Sequence, residues 1–298
     1  MAKIIRKVST RRDIDNRESN PKYGNFTIGF GSIGKECARE LYYGLHWVAK
    51  GTISAKTQRI FNIGHMFESM AIADLKSVGI DVFKRIDGEK IEMTGEKDEV
   101  QEKLIGVTGH SKGKPDGRCL GIMENPLLEH LLELKTMNQK NFDKVLSLGV
   151  YNADKVYFGQ VQRCMEAMKL ECCFFLAINK NTCEYYGEFI LFDPAYAKDL
   201  VRKEISIITS IEPPVRGFPK GHYKCDWCSK KSVCEKDIEP EINCRTCEYS
   251  DLENDGKWSC NNNKAIDLRT DGRCEDEYIL SADEQMAGCD FYKKGWGL

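Results

Sequence analysis

The chain has 298 residues, 41% of them hydrophobic and 30% charged, enough apolar material for one sizeable core, and no apolar run approaches the roughly 18 to 20 residues of a membrane span. Its formal net charge of −2 is unevenly placed: residues 1–24 carry seven Lys/Arg against three Asp/Glu, residues 235–298 eight against sixteen, and the stretch between is mildly basic. That permits phosphate binding by the body of the chain without demonstrating it. The polar, basic start from Met1 to Lys22 lacks the apolar segment of a secretory signal, so the fourteen cysteines are expected to ligate metal in a cytoplasmic protein rather than to form disulfides.

In chain order, residues 1–24 read as a basic arm without periodicity. A helix is expected after Ser32, an N-cap, running to about Ala49 and ending at Gly51. A stronger one follows from about Lys56 to Val78, where Ile63, Phe67, Met70, Ala71, Leu75 and Val78 recur at helical spacing and Gly79 supplies the stop. Both helices are expected to precede all strands. Strands are predicted near Ile80–Arg85, Leu104–Thr108, Gly117–Met123 and Leu128–Thr136. A helix over Asp154–Leu170 then leads to strands Cys172–Ile178 and Glu184–Leu191. A last helix starts at Asp193-Pro194 and stops before Pro213-Pro214. The fold class is α/β (α+β), a small mixed sheet flanked by helices. Past Pro219 aliphatics become sparse and eight of the fourteen cysteines cluster, so that segment needs metal rather than a hydrophobic core.

Chemistry concentrates in Asp116-Gly117 and, seventeen residues after Asp116, Glu133-Leu134-Lys135-Thr136. In a strand, Glu133 and Lys135 share one face while Leu134 packs the other way. If the neighbouring strand delivers Asp116 to the same place, two carboxylates form an oxygen-rich site for Mg²⁺ or Mn²⁺, the ion type that phosphodiester hydrolysis uses to activate water and offset developing charge. Lys135 would orient that water or neutralise the charge. His65 and Glu68, three apart on a helix, are neighbours that can reach the metal. Gln160 can bond a phosphate or the water network. Each piece alone has a bland reading as a solvated side chain; their order along the chain raises the joint reading.

That order resembles the PD-(D/E)XK nuclease superfamily, and within it RecB-like exonucleases, including CRISPR-associated and phage members. The match covers roughly Ser32 to Cys234: Gly64-His65 with Glu68, Gly109-His110 ahead of Asp116, Glu133-Leu134-Lys135-Thr136, and Gln160. The resemblance implies a restriction-endonuclease-like α-β-β-β-α-β core, with Asp116, Glu133, Lys135, Glu68 and Gln160 catalytic and His65, Glu68, Asp116 and Glu133 toward Mg²⁺ or Mn²⁺. Cys164 stands where the family's Gln-x-x-x-Tyr motif has Tyr, and the linker from Gly109 to Asp116 is longer than in a compact version. Its Lys112 and Lys114 are candidate contacts to the DNA backbone.

Cys225-x2-Cys228-x5-Cys234 and the isolated Cys37 on the first helix would tie the two ends of the chain together. Similar exonucleases with an iron-sulfur cluster have one cysteine before the nuclease motifs and three after them, so the resemblance implies a [4Fe-4S] cluster on these four, with zinc as the rival. Cys244, Cys247, Cys260 and Cys289 suffice for a structural Zn²⁺ site, in which Cys274 can replace one ligand. Cysteines 119, 164, 172, 173 and 183 are assigned to packing. The expected domains are a basic arm (1–24), a nuclease domain with its iron-sulfur staple (25–238) and a cysteine-rich zinc module (239–298).

The leading expectation is a metal-dependent DNA exonuclease serving phage or bacterial recombination, replication or repair. Linear DNA, including a single-stranded end, is the expected partner, with a recombinase or helicase beside it and no membrane. The alternatives are an endonuclease with the same centre and a non-catalytic DNA-binding or scaffold subunit.

Overall fold

A computed structural model describes residues 9–17, 22, 27–95, 100–269 and 278–295. From the N-terminus come α1 (Ser9–Asp15), β1 (Ile28–Gly29), the single turn α2 (Phe30–Ile33), α3 (Ala38–Leu45) and the long α4 (Ala55–Ser77), whose N-cap Ser54 accepts from the Thr57 N–H. Strands β2 (Asp81–Ile86), β3 (Glu89–Glu92), β4 (Leu104–Ile105), β5 (Ser111–Gly113), β6 (Gly117–Leu120) and β7 (His130–Met137) follow. Helices α5 (Gln139–Ala153) and α6 (Lys155–Met168) then lead to β8 (Cys172–Asn179), β9 (Tyr185–Leu191) and α7 (Pro194–Ile208).

The main sheet is six-stranded and mixed, in the order β3-β2-β6-β7-β8-β9. Only its β7–β8 pair is parallel, because the α5–α6 crossover returns the chain in the same direction. The period-2 alternation of β7 divides its residues between two cores. Leu131 joins Phe142, Val161, Met165 and Phe175 under α5 and α6, while Leu132 and Leu134 join Ala71, Ile72 and Leu75 under α4. The sheet is therefore covered on both faces, as expected of a mixed α/β layer structure. No helix of the described residues is long and apolar enough to cross a membrane.

Several elements differ from the sequence reading. A helix, α1, lies within the basic arm, and Asp15 on it pairs with Arg59 of α4 at 2.9 Å. Strand β1 precedes the long helix and pairs in parallel with β5, making a small second sheet β1-β5-β4. The strand expected over Leu104–Thr108 shrinks to Leu104–Ile105 in that sheet. The helix expected from Ser32 to Ala49 is broken at Gly34, where a Cβ would come within 2.4 Å of the Lys155 carbonyl oxygen on α6. Cys37 thus stands at the N-cap of α3 rather than within a helix. Helix α5, capped by Asn138, has no counterpart in the sequence reading because Gly149, at φ 70°, interrupts it. The Glu188 carboxylate on β9 accepts the Val150 N–H freed there, at 2.7 Å. Among the cysteines assigned to packing, Cys119, Cys164, Cys172 and Cys173 are buried, but Cys183 is exposed in the β8–β9 turn at φ 62°.

The C-terminal segment has a core after all. It contains α8 (Lys231–Lys236), the three-stranded antiparallel sheet β10 (Ser250–Leu252), β11 (Trp258–Cys260) and β12 (Tyr278–Ile279), α9 (Asn263–Arg269) and α10 (Ala282–Ala287). Trp258, Ala265 and Leu280 bury themselves with Leu41, Tyr42, Leu45 and Val48 of and beyond α3. The apolar surface missing from the tail is supplied by the N-terminal helix, a contact invisible to local composition. Arg245 locks the junction: its guanidinium lies 3.7 Å from the Trp47 ring and 4.9 Å from that of Trp258, and donates to the Leu45 carbonyl at 2.9 Å. On the same seam His110 donates from Nε2 to the Glu253 carbonyl at 2.6 Å. Gly109, at φ 73°, meets the Asp255–Gly256 backbone so closely that a Cβ would stand 2.3 Å from it.

Candidate active site

The site forms where β6 and β7 part. Their ladder runs from Cys119↔His130 to Gly117↔Leu132 and stops, while β7 continues to Met137 paired with β8 alone. At the fork the Asp116 carboxylate, and not a strand carbonyl, accepts the Leu134 N–H at 2.8 Å. Gly117 permits this course, since a Cβ there would come within 2.7 Å of the Met93 sulfur.

Period-2 geometry places Glu133 and Lys135 on the face toward α6 and Leu134 toward α4, as the sequence reading has it. Glu133 is wholly buried. Its Oε1 accepts from the Gln160 amide at 2.6 Å and from the Lys135 ammonium. Its Oε2 has no hydrogen-bond partner, an unusual state for a buried carboxylate oxygen. Burial pushes the Glu133 carboxyl up to about 7; Lys135 opposes the shift, and the negative charges of Asp116 and Glu68 add to it. Burial lowers the Lys135 ammonium, but the charges of Glu133 and Asp116 outweigh it and raise it, so Lys135 stays cationic. Glu68, on α4, is raised by burial and then by Asp116, while His65, 3.4 Å from it, lowers it.

Two clefts meet at His65 and Glu68. One, of about 650 Å³, is lined by Lys84, Lys114 and Asp116 among others. The second, of about 450 Å³, is lined by Ile60, Phe61, Lys135, Thr136, Tyr157 and Ile178 with Gly64 and Leu134. Lys114 therefore lines the first of these clefts, whereas Lys112 is exposed on β5 and lines neither. His110 is turned into the seam with the C-terminal segment, not toward Asp116. Cys164, at the position of the family's motif Tyr, is buried in the core under α6, its thiol raised by that burial. Tyr157 was not among the expected residues. Its ring lies 5.4 Å from the Lys135 nitrogen, and its signal in the sequence is its place three residues before Gln160, on the same face of α6.

No family model matches the chain, and no curated protein matches it in sequence. Among solved structures its neighbours include an alkaline exonuclease. That protein, LHK-Exo from Laribacter hongkongensis, is 16% identical, with a TM-score of 0.42 over 61% of this chain and 85% of its own. Its complex with dAMP gives 14% identity and a TM-score of 0.41 at the same 61% and 85% coverage. The protein SSO0001 is 15% identical, with a TM-score of 0.38 over 71% of this chain and 87% of its own.

Whether the site suits a divalent cation is decided by its donors. Among the described residues no three His, Cys, Asp or Glu side chains close around a single point as a complete metal cage. Mg²⁺ and Mn²⁺ need no such cage, because one or two carboxylates suffice when waters and substrate phosphate fill the other positions. The unsatisfied Glu133 Oε2, with the Asp116 charge beside it, fits that role.

The cysteines expected to act together are brought near one another. Cys37, Cys225, Cys228 and Cys234 line one cavity with Arg39, Lys224, Lys230 and Lys231. Gly217, in the chain returning from α7, sits against Cys37, where a Cβ would come within 2.9 Å of the cysteine's own. Burial pushes the Cys228 thiol up to about 11, so a metal bound there would displace its proton to solvent. The four share the lining of that one cavity, although Cys37 is about two hundred residues from the other three in the chain. In the C-terminal segment Cys244 and Cys260 are buried and Cys247 and Cys289 half-buried. The Cys244 thiol donates to the Glu284 carbonyl at 3.3 Å, and burial raises the Cys247 thiol, with the sulfurs of Cys289 and Cys260 adding to the effect. Cys274 lies outside the described residues.

Proposed function

We propose that the chain is a divalent-metal-dependent deoxyribonuclease of the restriction-endonuclease-like, RecB-type fold, acting as an exonuclease in phage or bacterial DNA recombination, replication or repair. The order α4-β2-β6-β7-α6-β8 supports the fold reading. The observation that supports the activity is the buried Glu133 carboxylate, one oxygen held by Lys135 and Gln160 and the other left without a partner, at the fork that delivers Asp116.

Asp116 and Glu133 would hold Mg²⁺ or Mn²⁺, with Glu68 and His65 at the groove beside them. Bound there, the ion would supply an activated water and neutralise charge developing on the phosphate. Lys135, kept cationic by its carboxylate neighbours, stabilises the anionic phosphate oxygens. Gln160 holds one oxygen of the buried Glu133 carboxylate and leaves the other without a partner, and Lys114, with Lys112 beside it on the same loop and strand, would meet the DNA backbone. Cys37, Cys225, Cys228 and Cys234 would hold a [4Fe-4S] cluster and Cys244, Cys247, Cys260 and Cys289 a Zn²⁺ ion, each structural. A helicase or recombinase partner and a cytoplasmic setting belong to the same proposal.

The deciding assay incubates the protein with end-labelled linear DNA and with covalently closed circles, with and without Mg²⁺ or Mn²⁺. Metal-dependent loss of the linear species alone is expected; cutting of circles would make the protein an endonuclease. Glu133→Ala is expected to abolish cleavage while DNA binding persists, and undiminished cleavage by that variant refutes the assignment.

A further inference from the structure

The first half of α4 is anomalous for a helix in a folded protein. Ala71, Ile72 and Leu75 are buried under the sheet, but about two to three turns before Ala71 the side chains of Ile60, Phe61 and Ile63 are 46%, 49% and 43% exposed. Exposed apolar side chains scattered singly need no explanation, whereas a contiguous group beside a site does. Ile60 and Phe61 line the same cleft as Tyr157 and Ile178, and that cleft opens directly onto Lys135. The neighbouring cleft, across His65 and Glu68, is lined instead by Lys84, Lys114 and Asp116. The groove is thus cationic and carboxylate-rich on one side of the catalytic pair and aromatic on the other.

A nucleotide has the same division, a phosphate joined to a flat apolar base. From this geometry, and resting on the nuclease reading, we infer that the cleft between the first half of α4 and the end of β7 is a nucleobase subsite. It holds the unpaired base next to the scissile phosphate against Phe61 and Tyr157. The reach is consistent: a phosphate at Lys135 stands beside the Tyr157 ring, which is 5.4 Å from the ammonium. Bases stack on aromatic side chains with little regard to sequence, since every base has a π-face. A paired base keeps its faces against its neighbours in the duplex. The subsite therefore selects a strand whose nucleotide at the cut is unstacked, either single-stranded or frayed at an end.

The test compares wild type, Phe61→Ala, Tyr157→Leu and Tyr157→Phe on single-stranded oligonucleotides that are intact or carry one abasic residue beside the cleaved bond. On intact DNA, Phe61→Ala and Tyr157→Leu are expected to raise KM roughly ten- to a hundredfold, with a smaller fall in kcat. Tyr157→Phe, which keeps the ring, is expected to raise KM far less than Tyr157→Leu. On the abasic substrate wild type loses the same factor, and Phe61→Ala loses nothing more. Because Phe61 is half exposed, its substitution tests the subsite without disturbing the core that Tyr157 touches. Equal loss by Phe61→Ala on intact and abasic DNA, or no rise in KM on intact DNA, overturns the subsite. Glu133→Ala run alongside separates the two failures: if it is dead while Phe61→Ala matches wild type, the subsite alone is wrong, and if it still cuts, the nuclease reading falls with it.

Discussion

Glu133→Gln exchanges a wholly buried carboxylate for an amide of the same shape, and two opposing effects decide what the metal-free protein does. Burial of the ionised carboxyl costs on the order of a few kcal/mol, enough to push it up to about 7 even with Lys135 opposing the shift, and the amide relieves that cost. Against this, Lys135 loses a charge-assisted hydrogen bond worth about 1.5 to 3 kcal/mol, though the Asp116 charge remains. The two nearly cancel, and the metal-free variant is expected to match wild-type stability within about 1 kcal/mol. The metal response differs sharply. An ion bound only by the native state at a hundredfold above its Kd adds about 2.7 kcal/mol, which at this chain length raises Tm by roughly 4 °C. Thermal unfolding with and without Mn²⁺ is expected to show that rise in wild type and little of it in Glu133→Gln. A full metal-induced rise in the variant would place the ion elsewhere. A metal-free variant destabilised by more than about 3 kcal/mol would instead make Glu133 a structural anchor for Lys135.

Other outcomes follow from groups outside the fork between β6 and β7. His46 is buried, with Nδ1 donating to the Arg245 carbonyl at 2.8 Å, and burial drives its imidazole down to about 4. The unfolded chain therefore takes up a proton that the folded one refuses. Stability is fully present above about pH 6.5, falls by about 3 kcal/mol as pH drops toward 4, and in His46→Gln follows a flatter course; parallel denaturation curves for the two across that window contradict the reading. Arg245→Ala removes a guanidinium held between Trp47 and Trp258 and leaves the Leu45 carbonyl without that donor; a loss on the order of 3 kcal/mol is expected by urea unfolding, and a change below about 1 kcal/mol would show that the seam is held by other contacts. Protein purified without oxygen is expected to be brown, and Cys37→Ser to lose the visible absorbance and its iron; a colourless wild type containing zinc would assign the four thiols to zinc.

The sequence by itself marked the long helix, most strands of the main sheet and the candidate residues that meet at the fork. Helical spacing marks the long α4, period-2 alternation sends Glu133 and Lys135 to one face and Leu134 to the other, and Asp193-Pro194 starts α7 where expected. Those signals are local, written in residues two to four apart. The tertiary structure alone decided what depended on distant backbone. The ladder between β6 and β7 ends at Gly117↔Leu132, so Asp116 meets the Leu134 N–H and the fork opens. The early part of α4 carries the same apolar pattern as the later part, yet only the later part finds a sheet to cover it. The tail looks coreless in sequence because half of its core, on and after α3, is about two hundred residues away. Periodicity reports which side of an element is apolar; which neighbour covers that side is set by chain topology, and no local window contains it.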